Sequence, residues 1–496
     1  MKSPGGILFL LFSTLLLSLD AQSQLAAIAG VVTDPGMNVV PAAQVRARNA
    51  ETGAVRTTTT SLSGQFEIPD LKPGPYSIEV EATGFAAARH DVRIEVGQSV
   101  RLDLSLALGE KSTSIEVAAR AEILKTQDAS LGEVIEAKSV ESLPLNGRML
   151  LDLALTVPGA HVGHGAQTGT MNPLYWRPGQ ASSLTIGGNR PNANYFLIDG
   201  AVNTDPTFNT QNVSLSPDAV REFQVQTGAY SAELGGAGGG QVNVVTKAGT
   251  SRLHGTAYEF LRNGALDAHS FNEMPGGKFL VQNTFGGALG GPLPGKKMFF
   301  FANYEALRRS KADTMVGTVP TEEEASGDFS QSGVSIFNPF SSHVSASGGT
   351  VRDPFPGNRI PRNLLNPAAA TMLASYVPRP NTTDMGAMFM DGVPVVVGAG
   401  SDSNNLLDQR NERHTTDQGT VRVDRVFDRG DSLGLRYSIG SENGKMPQNL
   451  PGFGLTHDNR SQQANLTWTR IAGPNLVNTA TVAFSRLAMT HYEENS

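Results

Sequence analysis

One octapeptide in the chain has the glycine and lysine spacing of a phosphate-binding loop. Such loops cradle phosphates with backbone N–H groups and carry a Ser or Thr directly after the lysine. The octapeptide is GGPLPGKK, Gly290–Lys297. A second lysine, Lys297, stands where the hydroxyl residue belongs, and the run contains two prolines. We therefore predict a hairpin loop here and no nucleotide site.

Acidic and histidine clusters are the other places where ligand-type side chains lie close in sequence. Glu322–Glu324 offers consecutive carboxylates, yet such a run is more often a solvated loop face than a metal site. His161 and His164 lie near a glycine-rich loop without a partnered carboxylate pattern, so we assign them no ligand role. Cysteine is absent, and neither a G-x-S-x-G elbow nor an H-E-x-x-H motif occurs. The sequence predicts no enzyme, no metal site and no cofactor.

Length and composition describe a long chain with few charges. Its 496 residues suggest about three domains. Charged residues make up 17% of the chain, below the usual ~25%. Glycine occurs 54 times in the 496 residues, which is a larger share than the usual ~7%. This composition indicates a β-rich protein with many turns. The net charge of −7, without a basic stripe, argues against a nucleic-acid surface.

The first residues predict export. Lys2 precedes an apolar run, Ile7–Leu19, and Ala21 and Ser23 provide the small residues of a cleavage site. We expect a signal peptide over residues 1–23, so that the mature chain begins at Gln24. The run is too short to span a ~30 Å hydrocarbon core as a helix, and no later run of eighteen apolar residues occurs. A membrane role must therefore come from a β-barrel.

The stretch Ser216–Lys247 organises the middle of the chain. Ser216–Asp218 combines an N-cap residue, a proline and an acid, which is typical of a helix start. Phe223–Gln226 alternates like a half-buried strand, and a second strand follows at Gln241–Lys247. Between them lies the glycine cluster Gly235–Gly240, where backbones can approach closely or take positive φ. We expect this cluster to form a tight turn between the strands.

Residues 24 to about 108 predict a small β-sandwich, because short apolar segments recur at strand spacing between turn residues. The expected strands are Ile28–Val32, Ala43–Arg48, Gly64–Ile68, Tyr76–Glu81, Val92–Val96 and Val100–Leu106. Three motifs, Gly30–Asp34, Ser63–Phe66 and Leu71–Tyr76, resemble the carboxypeptidase-regulatory-like domain. That resemblance implies a prealbumin-type fold, grouped with carbohydrate-binding-like sandwiches, without peptidase chemistry. Whether this domain binds sugar stays open.

Motifs in the middle of the chain resemble the plug domain of TonB-dependent outer-membrane receptors. The series is an Arg-Glu-x-x-Val strand from Arg221, a Tyr-Ser-Ala segment from Tyr230, the glycine cluster and a Val-Asn-Val-Val-Thr-Lys strand from Val242. Leu143–Arg148, and later Asp353–Pro361, are typical of the Oar-like branch of these receptors.

The resemblance implies an α+β plug over residues 120–250. A helical pattern begins near Leu150 and stops at Pro158, and Ser183–Arg190 and Tyr195–Gly200 correspond to central strands. We expect the charged plug residues to form ion-paired supports inside a barrel lumen, with no catalytic role. The plug residues that the resemblance singles out are Arg190, Asp199, Arg221, Glu222, Gly235, Gly236 and Gly238.

A short alternating segment precedes the plug, within residues 109–119. In the receptor family an extended peptide of this character, the TonB box, lends its backbone edge to a TonB-type periplasmic energy transducer. The resemblance places this coupling strand at Ser114, Ile115, Glu116, Val117, Ala118 and Ala119. The pattern by itself also fits one more strand or a linker.

Residues 251–496 show the pattern of barrel strands. In Ser432–Gly440 the apolar residues fall on one face and Ser, Gly and Arg on the other, as a strand between lipid and a wet lumen requires. Further strands are expected at His254–Arg262, Asn283–Leu289, Met298–Leu307, Thr420–Phe427 and Leu476–Leu487. Short turns alternate with long connections, Gly440–Arg460 and 308–414. We expect the 308–414 region to be a long extracellular loop.

About seven strands are expected in this region, whereas the receptor family closes its barrel with about 22. An open sheet leaves backbone groups unpaired, which is costly in hydrocarbon. We therefore expect the chain to be an incomplete, C-terminally truncated member of the family that holds the first part of a barrel.

The sequence thus predicts a mainly β protein with a prealbumin-like β-sandwich, an α+β plug and part of a transmembrane β-barrel. The resemblance implies energised uptake across a Gram-negative outer membrane. The expected partners are a TonB-type transducer, outer-membrane lipid and a small ligand, with no nucleic acid. Siderophore, oligosaccharide and peptide ligands all stay open. Two alternatives remain: an outer-membrane adhesion or structural protein, and a secreted carbohydrate-binding protein.

Overall fold

The fold is described here from a computed structural model. Among the described residues, helices long and apolar enough to cross a membrane are absent. The expected signal peptide, residues 1–23, lies outside these residues. The structure describes residues 26–109, 115–116, 130–143, 145–162, 184–190, 193–206, 209–230, 235–236, 238–268, 279–295, 297–381, 388–390, 393–395, 405–427, 430–447, 452–473 and 476–493.

The N-terminal unit is a sandwich of two β-sheets. Its strands are β1 (Ala26–Thr33), β2 (Gln44–Asn49), β3 (Val55–Thr59), β4 (Gln65–Leu71), β5 (Gly74–Glu81), β6 (Ala88–Ile94), β7 (Ser99–Arg101), β8 (Leu104–Ser105) and β9 (Ile115–Glu116). One sheet has the order β4-β1-β7, with β8 also on β1, and the other has the order β3-β2-β5-β6-β9. Alternate residues of β1 and β2 point inward, and Ile28, Val45 and Ile78 lie fully buried in the core between the sheets.

Two features of the sandwich differ from the sequence-based expectation. Strand β3 was missed because its Arg and Thr side chains are exposed or half-buried throughout, so it lacks an apolar face. The single strand expected at Val100–Leu106 is two strands, β7 and β8. Between them the Asp103 carboxylate accepts a hydrogen bond from the Val31 backbone N–H at 3.0 Å. A side chain there replaces the backbone partner and interrupts the ladder.

The middle unit is an α+β domain. Its elements are β10 (Leu131–Glu136), α1 (Ala137–Ser142), β11 (Ala160–Val162), β12 (Leu184–Ile186), β13 (Tyr195–Ile198), β14 (Ala201–Val202), β15 (Val220–Gly228) and β16 (Gln241–Thr246), with 3₁₀ helices at Asn146–Arg148, Leu150–Thr156 and Pro217–Ala219. The main sheet has the order β10-β15-β16-β13-β14. Phe223 and Val225 of β15 and Val242 of β16 are fully buried in its core.

The two segments of this domain that the sequence predicted as helical form short 3₁₀ helices. Ser216 caps Pro217–Ala219, and its hydroxyl accepts a hydrogen bond from the Asp218 backbone N–H at 3.2 Å. The helical pattern near Leu150 is the 3₁₀ helix Leu150–Thr156, which buries Leu150, Leu151 and Leu153. The segment expected as a central strand at Ser183–Arg190 contains β12, which pairs with β11 outside the main sheet.

The glycine cluster is not a tight turn, contrary to expectation. Strands β15 and β16 are antiparallel, but β15 ends at Gly228 and β16 begins only at Gln241, which is too wide a separation in sequence for a tight turn. Two of the glycines instead allow neighbouring residues to pack directly against the backbone. A Cβ on Gly240 would lie 2.3 Å from Cγ2 of Ile186, and one on Gly239 would lie 2.7 Å from the carbonyl oxygen of Ala193. Gly236 has a φ of +94°.

The C-terminal unit is one antiparallel sheet of long strands. Its elements are β17 (His254–Asn263), β18 (Leu280–Pro292), β19 (Met298–Gly317), α2 (Glu322–Ala325), β20 (His343–Val344), β21 (Thr350–Val351), α3 (Pro367–Tyr376), β22 (Met388–Met390), β23 (Val393–Val395), β24 (Leu406–Val426), β25 (Ser432–Met446), β26 (Leu455–Gly473) and β27 (Leu476–Glu493), with 3₁₀ helices at Gly264–Leu266, Pro356–Asn358 and Arg362–Leu364. The large sheet has seven strands in the order β17-β18-β19-β24-β25-β26-β27.

The strands of the large sheet have a polar face and an apolar face. In β25, Arg436 is 2% exposed and Ser438 is fully buried, whereas Leu435 is 51% exposed. The alternation expected for Ser432–Gly440 is therefore confirmed. The polar face packs on the middle unit, and the apolar face points outward, which is the arrangement of a membrane barrel wall.

The segments between the strands of the large sheet differ from the sequence-based prediction in three places. Strand β25 continues to Met446 and β26 begins at Leu455, so Gly440–Arg460 is mostly strand. Strands β19 and β24 likewise extend into the expected 308–414 loop and leave 318–405 as the connection. Polar residues dominate the start of β26, from Thr456 to Arg460, and the end of β25, from Ser441 to Lys445, so the apolar period that signals a strand is missing there. Glu322–Glu324 is exposed or half-buried as expected, but it forms the short helix α2 rather than a loop.

The octapeptide Gly290–Lys297 is a hairpin, as expected. Its first residues belong to β18, which ends at Pro292, and the antiparallel strand β19 begins at Met298. The Leu293 backbone N–H donates to the Met298 carbonyl at 2.8 Å, which closes the turn.

Candidate functional site

The sandwich, the middle unit and the large sheet meet around a cavity of about 150 Å³, which we call the junction cavity. Side chains of opposite charge from all three units line it. They include Lys72 from the sandwich, Asp199 from the middle unit, and Arg422, Asp424 and Arg436 from the large sheet.

A two-residue turn positions Asp199 at this cavity. Asp199 and Gly200 connect β13 to β14, and Ile198 pairs with Ala201 across the turn. Their φ values are +48° and +79°. Asp-Gly is the residue pair that a turn with two positive φ angles favours, because Asp tolerates this region and Gly has no Cβ.

Asp199 is held between two arginines of the large sheet. Its Oδ1 lies 3.3 Å from a terminal nitrogen of Arg422, and its Oδ2 lies 2.9 Å from Nε of Arg436. Thr246 of β16 also donates to the carboxylate, from its backbone N–H at 2.9 Å and its hydroxyl at 2.6 Å. The carboxylate thus ties the middle unit to the polar face of β24 and β25.

The same charges continue to the sandwich. Nε of Arg422 lies 2.7 Å from Oδ2 of Asp424, and Oδ1 of Asp424 lies 2.8 Å from Nζ of Lys72. The result is an unbroken series of ion pairs, from Lys72 through Asp424, Arg422 and Asp199 to Arg436, which we call the charge chain. It connects all three units.

The charge chain keeps Asp199 ionised. Burial by itself would raise the pKa of its carboxyl, but the guanidinium groups of Arg422 and Arg436 and the hydrogen bonds from Thr246 outweigh burial and hold the pKa below its usual 3.8.

Arg221 and Glu222 lie at the contact between the middle unit and the sandwich. The terminal nitrogens of Arg221 donate to both carboxylate oxygens of Glu51, at 2.7 and 3.1 Å. Glu222 is fully buried and accepts from the Val96 backbone N–H at 2.9 Å, with Arg93 at 3.7 Å. Burial raises the pKa of Glu222 above its ordinary value. Both residues contact the sandwich rather than the large sheet, where we expected lumen supports.

The remaining residues singled out in the middle unit have backbone roles or surface positions. Arg190 is exposed. The carbonyl oxygens of Gly235 and Gly238 accept from the amides of Gln241 at 3.3 Å and Asn189 at 3.0 Å. A Cβ on Gly236 would lie 2.9 Å from the ring of Tyr195, so its small size matters there.

A second buried cluster surrounds Arg148, which sequence reasoning noted only as part of a family motif. Nε of Arg148 donates to Glu305 of β19 at 2.7 Å, and a terminal nitrogen pairs with Asp218. Its guanidinium lies over the rings of Tyr258 at 4.6 Å and Phe260 at 4.8 Å. This cluster is a second tie between the middle unit and the large sheet.

Comparison with known protein families identifies two of the three units. The sequence profile of the outer membrane beta barrel domain matches residues 245–496, about half of the chain. The chain belongs to that family. The carboxypeptidase regulatory-like domain matches residues 27–107. Both matches confirm the sequence-based expectation for the fold class: a prealbumin-like sandwich followed by outer-membrane barrel strands.

Among curated proteins, this barrel protein is similar to the TonB-dependent transporter Oar of Myxococcus xanthus, with 27% identity over 301 residues. That region is 57% of this chain and 27% of the relative's length, so the chain spans about a quarter of that relative. The Oar-like resemblance is therefore confirmed, and the chain is a homologue of a TonB-dependent transporter.

Two solved structures are also similar. The outer membrane transporter YddB of Escherichia coli has 14% identity and a TM-score of 0.43, over 72% of this chain and 39% of that chain. A catechol 1,2-dioxygenase from Acinetobacter has 12% identity and a TM-score of 0.16, over 21% of this chain and 60% of that chain. Likenesses at these scores carry no argument about the activity of this barrel protein.

The expected coupling segment of the barrel protein is described in part. Ile115 and Glu116 form β9, which lies parallel to β6 at the edge of the sandwich, with Ala88 opposite Ile115 and Arg89 opposite Glu116. Ser114, Val117, Ala118 and Ala119 lie outside the described residues.

Proposed function

We propose that the chain serves in TonB-dependent, energised uptake of a small ligand across the outer membrane. The observation that carries this proposal is the charge chain, in which Asp199 of the middle unit is buried between Arg422 and Arg436 on the polar face of the barrel strands. A domain so fixed against a barrel wall obstructs the lumen. In a transporter such a plug needs an outside source of energy to move.

We propose the segment Ser114–Ala119 as the strand through which that energy enters. Its described residues already occupy a sheet edge, since Ile115–Glu116 adds to β6 as a fifth strand. A peptide that pairs through its backbone is suited to capture by the sheet of a periplasmic transducer. The proposed units are then the sandwich at 24–108, the coupling segment at 109–119, the plug at 120–250 and the barrel region at 251–496.

Val117→Pro tests this role. Proline removes a backbone N–H and cannot sit within a newly paired strand, so binding to the transducer should weaken. We expect the dissociation constant to rise at least about tenfold, equivalent to a loss of about 1.4 kcal/mol. The measurement is calorimetric titration of the full chain in detergent with the purified periplasmic domain of the TonB-type protein from the same genome.

Val117→Ala is the matched control, because it shortens the side chain and keeps the backbone N–H. It should bind like the wild type. Equal affinity of Val117→Pro and Val117→Ala would contradict the assignment. Absence of any binding by the wild type would favour an outer-membrane adhesion or structural role instead.

We also propose that residues 1–23 direct export and are then removed. The grounds are the apolar run Ile7–Leu19 and the small residues Ala21 and Ser23. N-terminal sequencing of chain isolated from the outer-membrane fraction should start at Gln24. Retention of Met1 on membrane-inserted protein would refute the cleavage.

A further inference from the structure

Three histidines lie in one row across the barrel strands. His414 of β24 is opposite Gly444 of β25, Gly444 is opposite His457 of β26, and His457 is opposite His491 of β27. Directly opposite residues of neighbouring strands project to the same face of a sheet. His414 and His457 are each 1% exposed, so that face is the buried, polar one.

Gly444 lets the first two histidines of the row approach each other. A Cβ at this position would lie 2.2 Å from Cε1 of His457, so a side chain does not fit. The rings of His414 and His457 meet over the glycine with their centroids 5.7 Å apart, and His491 follows at 6.3 Å from His457.

A buried carboxylate completes the group. Glu442 precedes Gly444 by two residues on the same face of β25 and is 4% exposed. Its Oε1 lies 3.5 Å from Nε2 of His414, which is also 3.2 Å from the hydroxyl of Thr416. One ligand atom from each of His414, Glu442 and His457 lies within 4.8 Å of the other two.

The ring nitrogens of His457 make this arrangement unusual for a purely structural cluster. Neither of them has a hydrogen-bond partner within the described structure, and the same holds for Nδ1 of His414. Buried polar atoms normally have a partner, because the loss of hydration without compensation costs free energy. A bound cation would provide one.

We propose that His414, Glu442 and His457 bind a divalent first-row transition-metal ion, such as Zn²⁺, on the lumen side of the barrel strands. Two imidazoles and a carboxylate suit such ions, whereas Mg²⁺ and Ca²⁺ prefer oxygen ligands. In a tetrahedral zinc site the ligand atoms lie about 3.3 Å apart, as follows from Zn–N distances of about 2.0–2.1 Å. Side-chain rotations would bring the ligand atoms to that distance from their present separations, which are at most 4.8 Å. His491 lies next in the row as a further imidazole.

The surroundings of this metal-binding group include a small cavity and a neighbouring arginine whose charge is offset. Glu442 also lines a cavity of about 40 Å³ between the plug and the barrel strands, together with Arg148 and Ser214 of the plug. Glu442 therefore borders a space between the two units. Arg309, opposite His414 in the register, is paired with Glu412 at 2.6 Å, which offsets its charge. An ion at the group would link β24, β25 and β26, a role beyond the proposed transport function.

Zn²⁺ binding by the full chain, purified in detergent without a histidine tag, tests the proposal. Equilibrium dialysis with elemental analysis should find one tightly held Zn²⁺ per chain. His457→Ala and His414→Ala should each weaken binding at least about 100-fold, because the loss of even an outer-shell partner costs about 10–100-fold. Co²⁺ in place of Zn²⁺ should give the visible absorption of a tetrahedral site in the wild type but not in His457→Ala or His414→Ala.

Two further variants keep the test decisive. Glu442→Gln retains the size of the side chain and removes its charge, so it reports on binding even if the alanine variants fold poorly. His254→Ala removes an exposed histidine of β17 and should bind Zn²⁺ like the wild type. Absence of stoichiometric binding by the wild type overturns the proposal. Equal binding by folded Glu442→Gln, His457→Ala and His254→Ala does so as well.

Discussion

Asp199→Asn is expected to lower the free energy of unfolding by about 3–5 kcal/mol, the usual cost of removing one partner from a buried ion pair. Asparagine has the same size as aspartate and tolerates the φ of +48° at this turn, so backbone strain does not contribute. What is lost is the charge between Arg422 and Arg436. Arg436 is 2% exposed, so water cannot replace the carboxylate.

Urea unfolding of the detergent-solubilised chain, followed by tryptophan fluorescence, measures this loss. Asp91→Asn is the control, because Asp91 is exposed and lies 3.7 Å from Arg89 in a surface pair. Such a pair contributes only about 0–1 kcal/mol. Equal stabilities of the two variants would show that the charge chain does not hold the plug.

The effect of Asp199→Asn also has a defined pH dependence. Burial alone would raise the pKa of Asp199, but the two arginines hold it below the usual 3.8. The ionised carboxylate therefore contributes its full stabilisation above pH 3.8, and this contribution is lost as the pH falls through the lower, folded-state pKa. The difference between wild type and Asp199→Asn should shrink only in that acidic range.

Arg148→Met should cost about 3 kcal/mol or more, for the complementary reason. Methionine preserves the apolar stem that lies against Tyr258 and Phe260, but it leaves two carboxylates without their cation. Glu305 is 4% exposed, so its charge stays buried. Hydrogen bonds to Glu305 from Tyr258 at 2.8 Å and Gln418 at 2.8 Å compensate only in part.

Limited proteolysis and urea unfolding together check this prediction, since a loosened plug is cut sooner and the chain unfolds at lower denaturant. Arg359→Met is the matched control, because its ion pair with Asp328 at 2.9 Å is on the surface. Its cost should stay below about 1 kcal/mol. A similar protease sensitivity of both variants would mean that the Arg148 cluster is dispensable for plug docking.

The strands that sequence predicted well are those with two chemically different faces. Ser432–Gly440 alternates between Leu or Tyr and Arg or Ser because one side packs on the plug and the other points outward. Strand β26 begins with Thr456, Asp458 and Arg460 interleaved with other polar residues, so no apolar period marks its start. Where both faces of a strand are polar, only the hydrogen-bond ladder to its neighbours defines it.

The candidate sites were predictable only from the plug side. The plug resemblance singles out Asp199 and predicts an ion-paired support there, although it assigns Tyr195–Gly200 to a strand rather than to the turn that the structure has at Asp199 and Gly200. Its partners Arg422 and Arg436 lie more than two hundred residues later. The register of β24 and β25 places the two arginines opposite each other, and packing of the middle unit on the large sheet brings Asp199 between them. His414, Glu442 and His457 likewise occupy separate strands. Their spacing in sequence has none of the short intervals by which metal ligands are normally found.

The charge chain has a thermodynamic consequence for how the units respond to one another. Arg422 shares its guanidinium between Asp199 of the plug and Asp424, which in turn holds Lys72 of the sandwich. If the plug withdraws, Arg422 loses the negative charge of Asp199 and interacts with Asp424 alone. The electrostatic attraction between Asp424 and Lys72 then changes as well. By reciprocity, docking of the sandwich changes the free energy of plug withdrawal by the same amount. A double-mutant cycle between Lys72 and Asp199, which do not touch, would measure this cooperativity, and strict additivity would exclude it.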